Sequence, residues 1–164
     1  MQALFRGFRT RRKYKVPTKT NKYFQPAESN ETKTGIFKDS AKIEQRTYTY
    51  TTGAIYAGQW LGWMRHGQGS MIWVDGAQYE GEWSFNAANG YGIFIYADGV
   101  RYEGQFLLDK KEGFGIYTCN DGKYEVWFNK DKKHGLGYYY DPKEKTLKFG
   151  LWENGKHVRW YDDQ

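Results

Sequence analysis

The chain has 164 residues, of which 20% are aromatic (15 Tyr, 10 Phe and 7 Trp), with 20 Gly and only 3 Pro. This is enough chain for one domain, and aromatic rings are what a sequence with little Leu and Ile can use for a core, so collagen and a wholly disordered chain are excluded. A single cysteine, Cys119, excludes an intramolecular disulfide framework and a cysteine cluster for zinc, and no apolar run approaches bilayer length, so the expected compartment is cytoplasmic.

The formal net charge of +6 is unevenly spread. Residues 1–27 carry eight basic side chains and no acid, while residues 28–164 carry 17 basic and 19 acidic ones. A nucleic-acid reader would need its basic stripe on the folded domain, so no nucleic-acid partner is expected.

Read as a helix, residues 1–13 place Met1, Leu4, Phe5 and Phe8 on one stripe, with Arg6, Arg9 and Arg12 away from it. The run Met1-Gln2, then Arg6-Gly7, then Arg11 resembles the IQ motif. That resemblance implies a calmodulin- or centrin-like EF-hand partner clasping Gln2, Leu4, Phe5, Arg6, Gly7, Phe8 and Arg11. Two plainer readings stand beside it: an Arg-rich tail lying disordered or against an acidic neighbour such as tubulin, and a mitochondrial transit peptide. Residues 14–45, with Pro17, Pro26 and many polar side chains, read as an extended or disordered linker.

From residue 46 to 164 the chain repeats. Tyr56-Ala57-Gly58-Gln59-Trp60, Tyr79-Glu80-Gly81-Glu82-Trp83 and Tyr102-Glu103-Gly104-Gln105-Phe106 recur every 23 residues, and Tyr124-Glu125-Val126-Trp127-Phe128 follows after 22. In step with them run Gly67-Gln68-Gly69, Gly90-Tyr91-Gly92, Gly113-Phe114-Gly115 and Gly135-Leu136-Gly137, and then Asp75-Gly76, Asp98-Gly99 and Asp121-Gly122. Asp-Gly between strand-like runs predicts a type I′ hairpin turn with positive φ at both residues. Alternation in the strand that follows puts Tyr, Gly and Trp or Phe on one face and Gln or Glu on the other, and Gly-x-Gly is expected to open the return strand. The in-frame glycines imply rings lying over a missing Cβ. The fold class is therefore all-β: an elongated, twisted, single-layer antiparallel sheet of about ten strands, preceded by the basic helix and linker, its last segment covering the exposed edge.

The order Tyr-x-Gly-x-Trp, Gly-x-Gly, Asp-Gly resembles the MORN repeat over roughly residues 48–155. The fourth copy departs, with Val126 in place of Gly and one residue fewer. The resemblance implies a role in assembly, in settings that include ciliary radial spokes, cell-cortex scaffolds and junctional membrane tethers.

Isolated chemistry is scarce. His66 and His134 occupy one repeat position, and Glu80, Glu103 and Glu125 another, which marks turn chemistry and a solvated face rather than catalysis. No catalytic residue, metal site or cofactor is expected. Cys119 takes the place of Trp73 and Tyr96 and reads as a small core residue. The partner-docking surface is expected on the ring face: Tyr56, Trp60, Tyr79, Trp83, Tyr102, Phe106, Tyr124 and Phe128. The expected function is a non-enzymatic scaffold of a cytoskeletal complex, with the ciliary axoneme as the setting the resemblance offers. The alternative is a module attached to anionic membrane by the basic tail.

Overall fold

A computed structural model describes Tyr23, Phe24 and residues 42–161. All of the strands form one antiparallel sheet in chain order, without a crossover. They are β1 (Ile43–Thr49), β2 (Ile55–Leu61), β3 (Met64–Ile72), β4 (Gln78–Ser84), β5 (Ala87–Ile95) and β6 (Arg101–Leu107). The sheet continues through β7 (Lys110–Cys119), β8 (Gly122–Asn129), β9 (Lys132–Asp141), β10 (Thr146–Glu153) and β11 (Lys156–Tyr161). At strand spacing, eleven strands span about 50 Å. The fold class stands as expected from the repeat; the N-terminal helix lies outside the described residues.

The core is one face of this sheet, and it is built by rings. Tyr56, Tyr79 and Tyr102 are fully buried. Each meets the Trp or Phe four residues on edge-to-face, at 5.0, 5.0 and 5.2 Å. Each also meets the equivalent ring of the next unit, at 5.3, 5.2 and 5.0 Å. This herringbone joins unit to unit, and edge-on packing of that kind adds about 0.5–1.5 kcal/mol per pair beyond area burial.

The glycines make room for it. Gly58 faces Gly69, Gly81 faces Gly92 and Gly104 faces Gly115 across neighbouring strands. Each Tyr ring lies over such a pair and donates its hydroxyl to the backbone carbonyl three residues on, at 2.9 Å in all three copies. In the fourth copy Val126 fills this bed, and Tyr124 packs instead against Tyr139 at 4.7 Å.

Three expectations are corrected. The Asp-Gly loops are not type I′ turns: in each pair the glycine alone has positive φ, and Gly122, at 150°, already opens β8 by pairing with Cys119, while Gly76 and Gly99 have φ of 87° and 84°. Each closes a three-residue loop, Gly76 N–H donating to Trp73 O and Trp73 N–H to Ala77 O, with Asp75 Oδ1 accepting from Ala77 N–H. The turns with positive φ at both positions are Phe85-Asn86, Leu108-Asp109, Lys130-Asp131 and Asn154-Gly155. Second, Gly-x-Gly lies inside the return strand, because β3, β5, β7 and β9 begin earlier, and its first glycine forms a bulge. Gln59 plugs the first bulge, accepting from Gln68 N–H at 2.8 Å, and Glu82 plugs the next, accepting from Tyr91 N–H at 2.8 Å.

Third, the opposite face is not uniformly polar: over the earlier strands it carries Ile55 paired with Ile72, and Ile93 between Glu80 and Glu103. From β7 onward it carries Phe114 paired with Trp127, Leu136 with Leu151 and Tyr138 with Phe149, and Trp127 is 56% exposed. The last segment covers the edge of β10 by pairing with it as β11, and thereby becomes the edge itself.

Candidate functional site: the aromatic face

Of the residues expected to dock a partner, Tyr56, Trp60, Tyr79, Trp83, Tyr102, Phe106 and Phe128 are buried on one face and Tyr124 is half-buried. The seven buried rings are the floor of the surface. Above them stand half-exposed rings, Trp73, Tyr96, Tyr117, Tyr124 and Tyr139, packed against the floor. Gln2, Leu4, Phe5, Arg6, Gly7, Phe8 and Arg11 lie outside the described residues.

Cations are set into the same face at one repeat position, where Arg65, Lys111 and Lys133 occur and Ala88 takes the second copy. The Arg65 guanidinium sits 4.4 Å from the Trp83 ring centre and donates to Asn86 O at 2.8 Å. Lys111 Nζ donates to the Tyr96 hydroxyl at 2.6 Å and stands 4.0 Å from Asp131 Oδ1. Lys133 Nζ lies 3.3 Å from the centre of the Tyr124 ring. Burial pulls all three below their ordinary pKa values, and it pushes the Tyr96 hydroxyl up to about 12. The three cations stand 46 and 22 residues apart, in frame with the repeat, and Ala88 at the intervening position hides the pattern in the sequence.

Sequence reasoning also missed the clasp between units. Asn86, Asp109 and Asp131 are the second residues of their turns, and each reaches back one unit. Their Oδ1 atoms accept from the N–H groups of Arg65, Ala88 and Lys111 at 2.8, 2.7 and 2.9 Å. Their own N–H groups donate to the carbonyls of the same three residues at 3.0 Å. Asp109 is almost fully buried, and burial lifts its carboxyl to about 7 against the pull of Ala88 N–H and the Arg65 charge.

The remaining polar candidates are dispersed. His66 packs edge-on to Phe85 at 5.0 Å, His134 is exposed, and Cys119 is half-buried. Glu80, Glu103 and Glu125 lie on the opposite face, opposed across the strands by Ile93 and Ile116.

The most informative contact comes from outside the repeats. Tyr23 and Phe24, in the segment read as linker, pack onto the aromatic face, and Phe24 is only 2% exposed. Its ring lies 5.5 Å from Trp73, 5.5 Å from Tyr79, 5.9 Å from Trp83, 5.7 Å from Phe94 and 6.3 Å from Phe106.

One open sheet of hairpins repeated in frame, its strands paired in chain order and its core rings on one face, defines a repeat-built β-scaffold. A family profile described as MORN repeat matches residues 56–78, 79–101, 102–124 and 128–145, and the chain belongs to the MORN-repeat family. MORN repeats act in protein-interaction or membrane-associated scaffolds and are typically non-catalytic. No curated protein matches the chain.

Proposed function

We infer that this chain is a non-enzymatic scaffold subunit of a large cytoskeletal assembly, with a radial-spoke-like place in a ciliary axoneme as its setting. Partner subunits dock on the aromatic face, and a calmodulin- or centrin-like EF-hand protein engages the N-terminal residues Gln2 to Arg11. The observation that carries the docking role is Phe24: a side chain delivered from outside the repeats is buried among five rings of that face. A surface that takes one aromatic anchor in this way has the depth and chemistry of a protein-docking site.

The test is co-purification of native complexes with two variants. Tyr96→Ala with Tyr117→Ala alters half-exposed rings of the aromatic face, and Gln78→Ala with Glu80→Ala alters the opposite face. Partners are expected to be lost with the first pair and retained with the second; equal retention would reject docking on this face.

Eight basic residues without an acid in residues 1–27 favour a second reading, attachment to anionic membrane through the tail. Flotation with anionic liposomes that is lost at high salt and on deletion of residues 1–22 would support it. Absence of flotation would end it.

A further inference from the structure

Phe24 and Tyr23 are neighbours in sequence, yet both rings face the sheet, because the chain turns at this point rather than running extended. Tyr23 meets Trp73 at 5.4 Å, Phe94 at 5.2 Å and Tyr96 at 6.2 Å, while Phe24 reaches deeper, to Trp83 and Phe106. The two side chains therefore reach from Trp73, just past β3, across β4 and β5 to Phe106 on β6, and so touch three successive repeats. The hole that Phe24 fills is made by the repeat itself: Tyr79, Trp83 and Phe106 are the regular rings of the pattern, and Trp73 and Phe94 flank them.

We propose that Tyr23-Phe24 is a tethered occupant of a docking site on the aromatic face, and that a partner entering there presents the same chemistry: a short peptide segment bearing two adjacent aromatic side chains. Seventeen residues separate Phe24 from Lys42, where the described part of the chain resumes. A covalent connection of that length sets an effective concentration of order millimolar. A partner must outcompete it, and its apparent affinity is reduced by the small fraction of molecules in which the segment has left. The segment thereby protects the rings from non-specific apolar contacts and restricts entry to ligands with the matching anchor pair.

Tethered occupancy presupposes that the aromatic face docks proteins, and the test separates the two ideas because its probe is the protein's own segment and needs no outside partner. The full chain is compared with its Tyr23→Ala, Phe24→Ala double variant, its fold checked by circular dichroism. The probe is a fluorescent synthetic peptide of residues 18–30, followed by polarisation. Expected is binding at least tenfold tighter to the double variant than to the unaltered protein, abolished when the peptide carries Phe24→Ala. Equal binding to both proteins, or no binding to a folded variant at millimolar concentration, would overturn the proposal. If the double variant does not fold, hydrogen exchange on the unaltered protein decides. The amides of Tyr23, Phe24 and Gln25 are expected to exchange at least tenfold more slowly than in the free peptide, and equal rates would overturn it.

Discussion

Tyr79 lies across Gly92 of the neighbouring strand so closely that a Cβ built on the glycine would stand 2.5 Å from the phenol oxygen. The same holds for Tyr56 over Gly69 and for Tyr102 over Gly115. The ring cannot yield, because its hydroxyl is bound to Glu82 O and its edges are held by Trp83 and Phe106. Gly92→Ala is therefore expected to destabilise the sheet by about 2–4 kcal/mol in urea unfolding. Gly76→Ala meets nothing within 4 Å and is strained only by its φ of 87°, so it should cost about 1–2 kcal/mol. Equal costs at the two positions would contradict the steric account.

Asp109 makes the protein's stability depend on pH. The folded state holds its proton up to about pH 7, whereas an unfolded aspartate releases it near 3.8. The folded protein thus binds more protons between those values, and this group's contribution to stability falls as pH rises from about 4 to 7 and is level above. Asn86 fills the equivalent place with a neutral amide oxygen. Asp109→Asn is expected to remove that part of the pH dependence and to stabilise the protein at pH 8 by about 1–3 kcal/mol. Urea midpoints at pH 4 and pH 8 for both proteins check this; a variant less stable at pH 8 would contradict it.

The clasp at Asn86 combines two effects that substitutions can separate. Its φ is 72°, and its Oδ1 accepts from Arg65 N–H. Asn86→Gly keeps the backbone conformation and loses the bond, at a cost of about 1 kcal/mol. Asn86→Ala loses both and should cost about 2–3 kcal/mol. Thermal unfolding of the pair measures the difference, and a reversed order would show that the turn conformation is not what Asn86 supplies.

The EF-hand proposal has its own check. A peptide of residues 1–15 is expected to bind calmodulin or centrin, and Phe5→Ala with Arg6→Ala should weaken binding at least tenfold by removing an apolar anchor and a charge contact, each of order 1 kcal/mol or more. Titration calorimetry measures it; unchanged affinity would reject the light-chain role.

The regular part of this architecture was legible because strand alternation and a 23-residue frame leave little freedom: Tyr, Gly and Trp at alternate positions must share a face. Turn types were not, because Asp-Gly suits both a type I′ turn and the αL end of a three-residue loop. The double positive-φ turns instead fell at Phe85-Asn86, where no glycine announced them. Gln59 and Glu82 read as solvated side chains, since bulges depend on pairing that alternation alone does not specify. Tyr23-Phe24 was hidden for another reason: two rings within a polar stretch have no periodicity, and their place depends on a hole that exists only once the units have stacked.

The most direct measurement is photo-crosslinking in native extract with benzoylphenylalanine at one of two positions. Tyr117 stands half-exposed on the aromatic face and Glu80 is exposed on the other. The docking account predicts a discrete protein adduct from position 117 and none from position 80. Adducts from position 80 alone, or the same adducts from both, would contradict it.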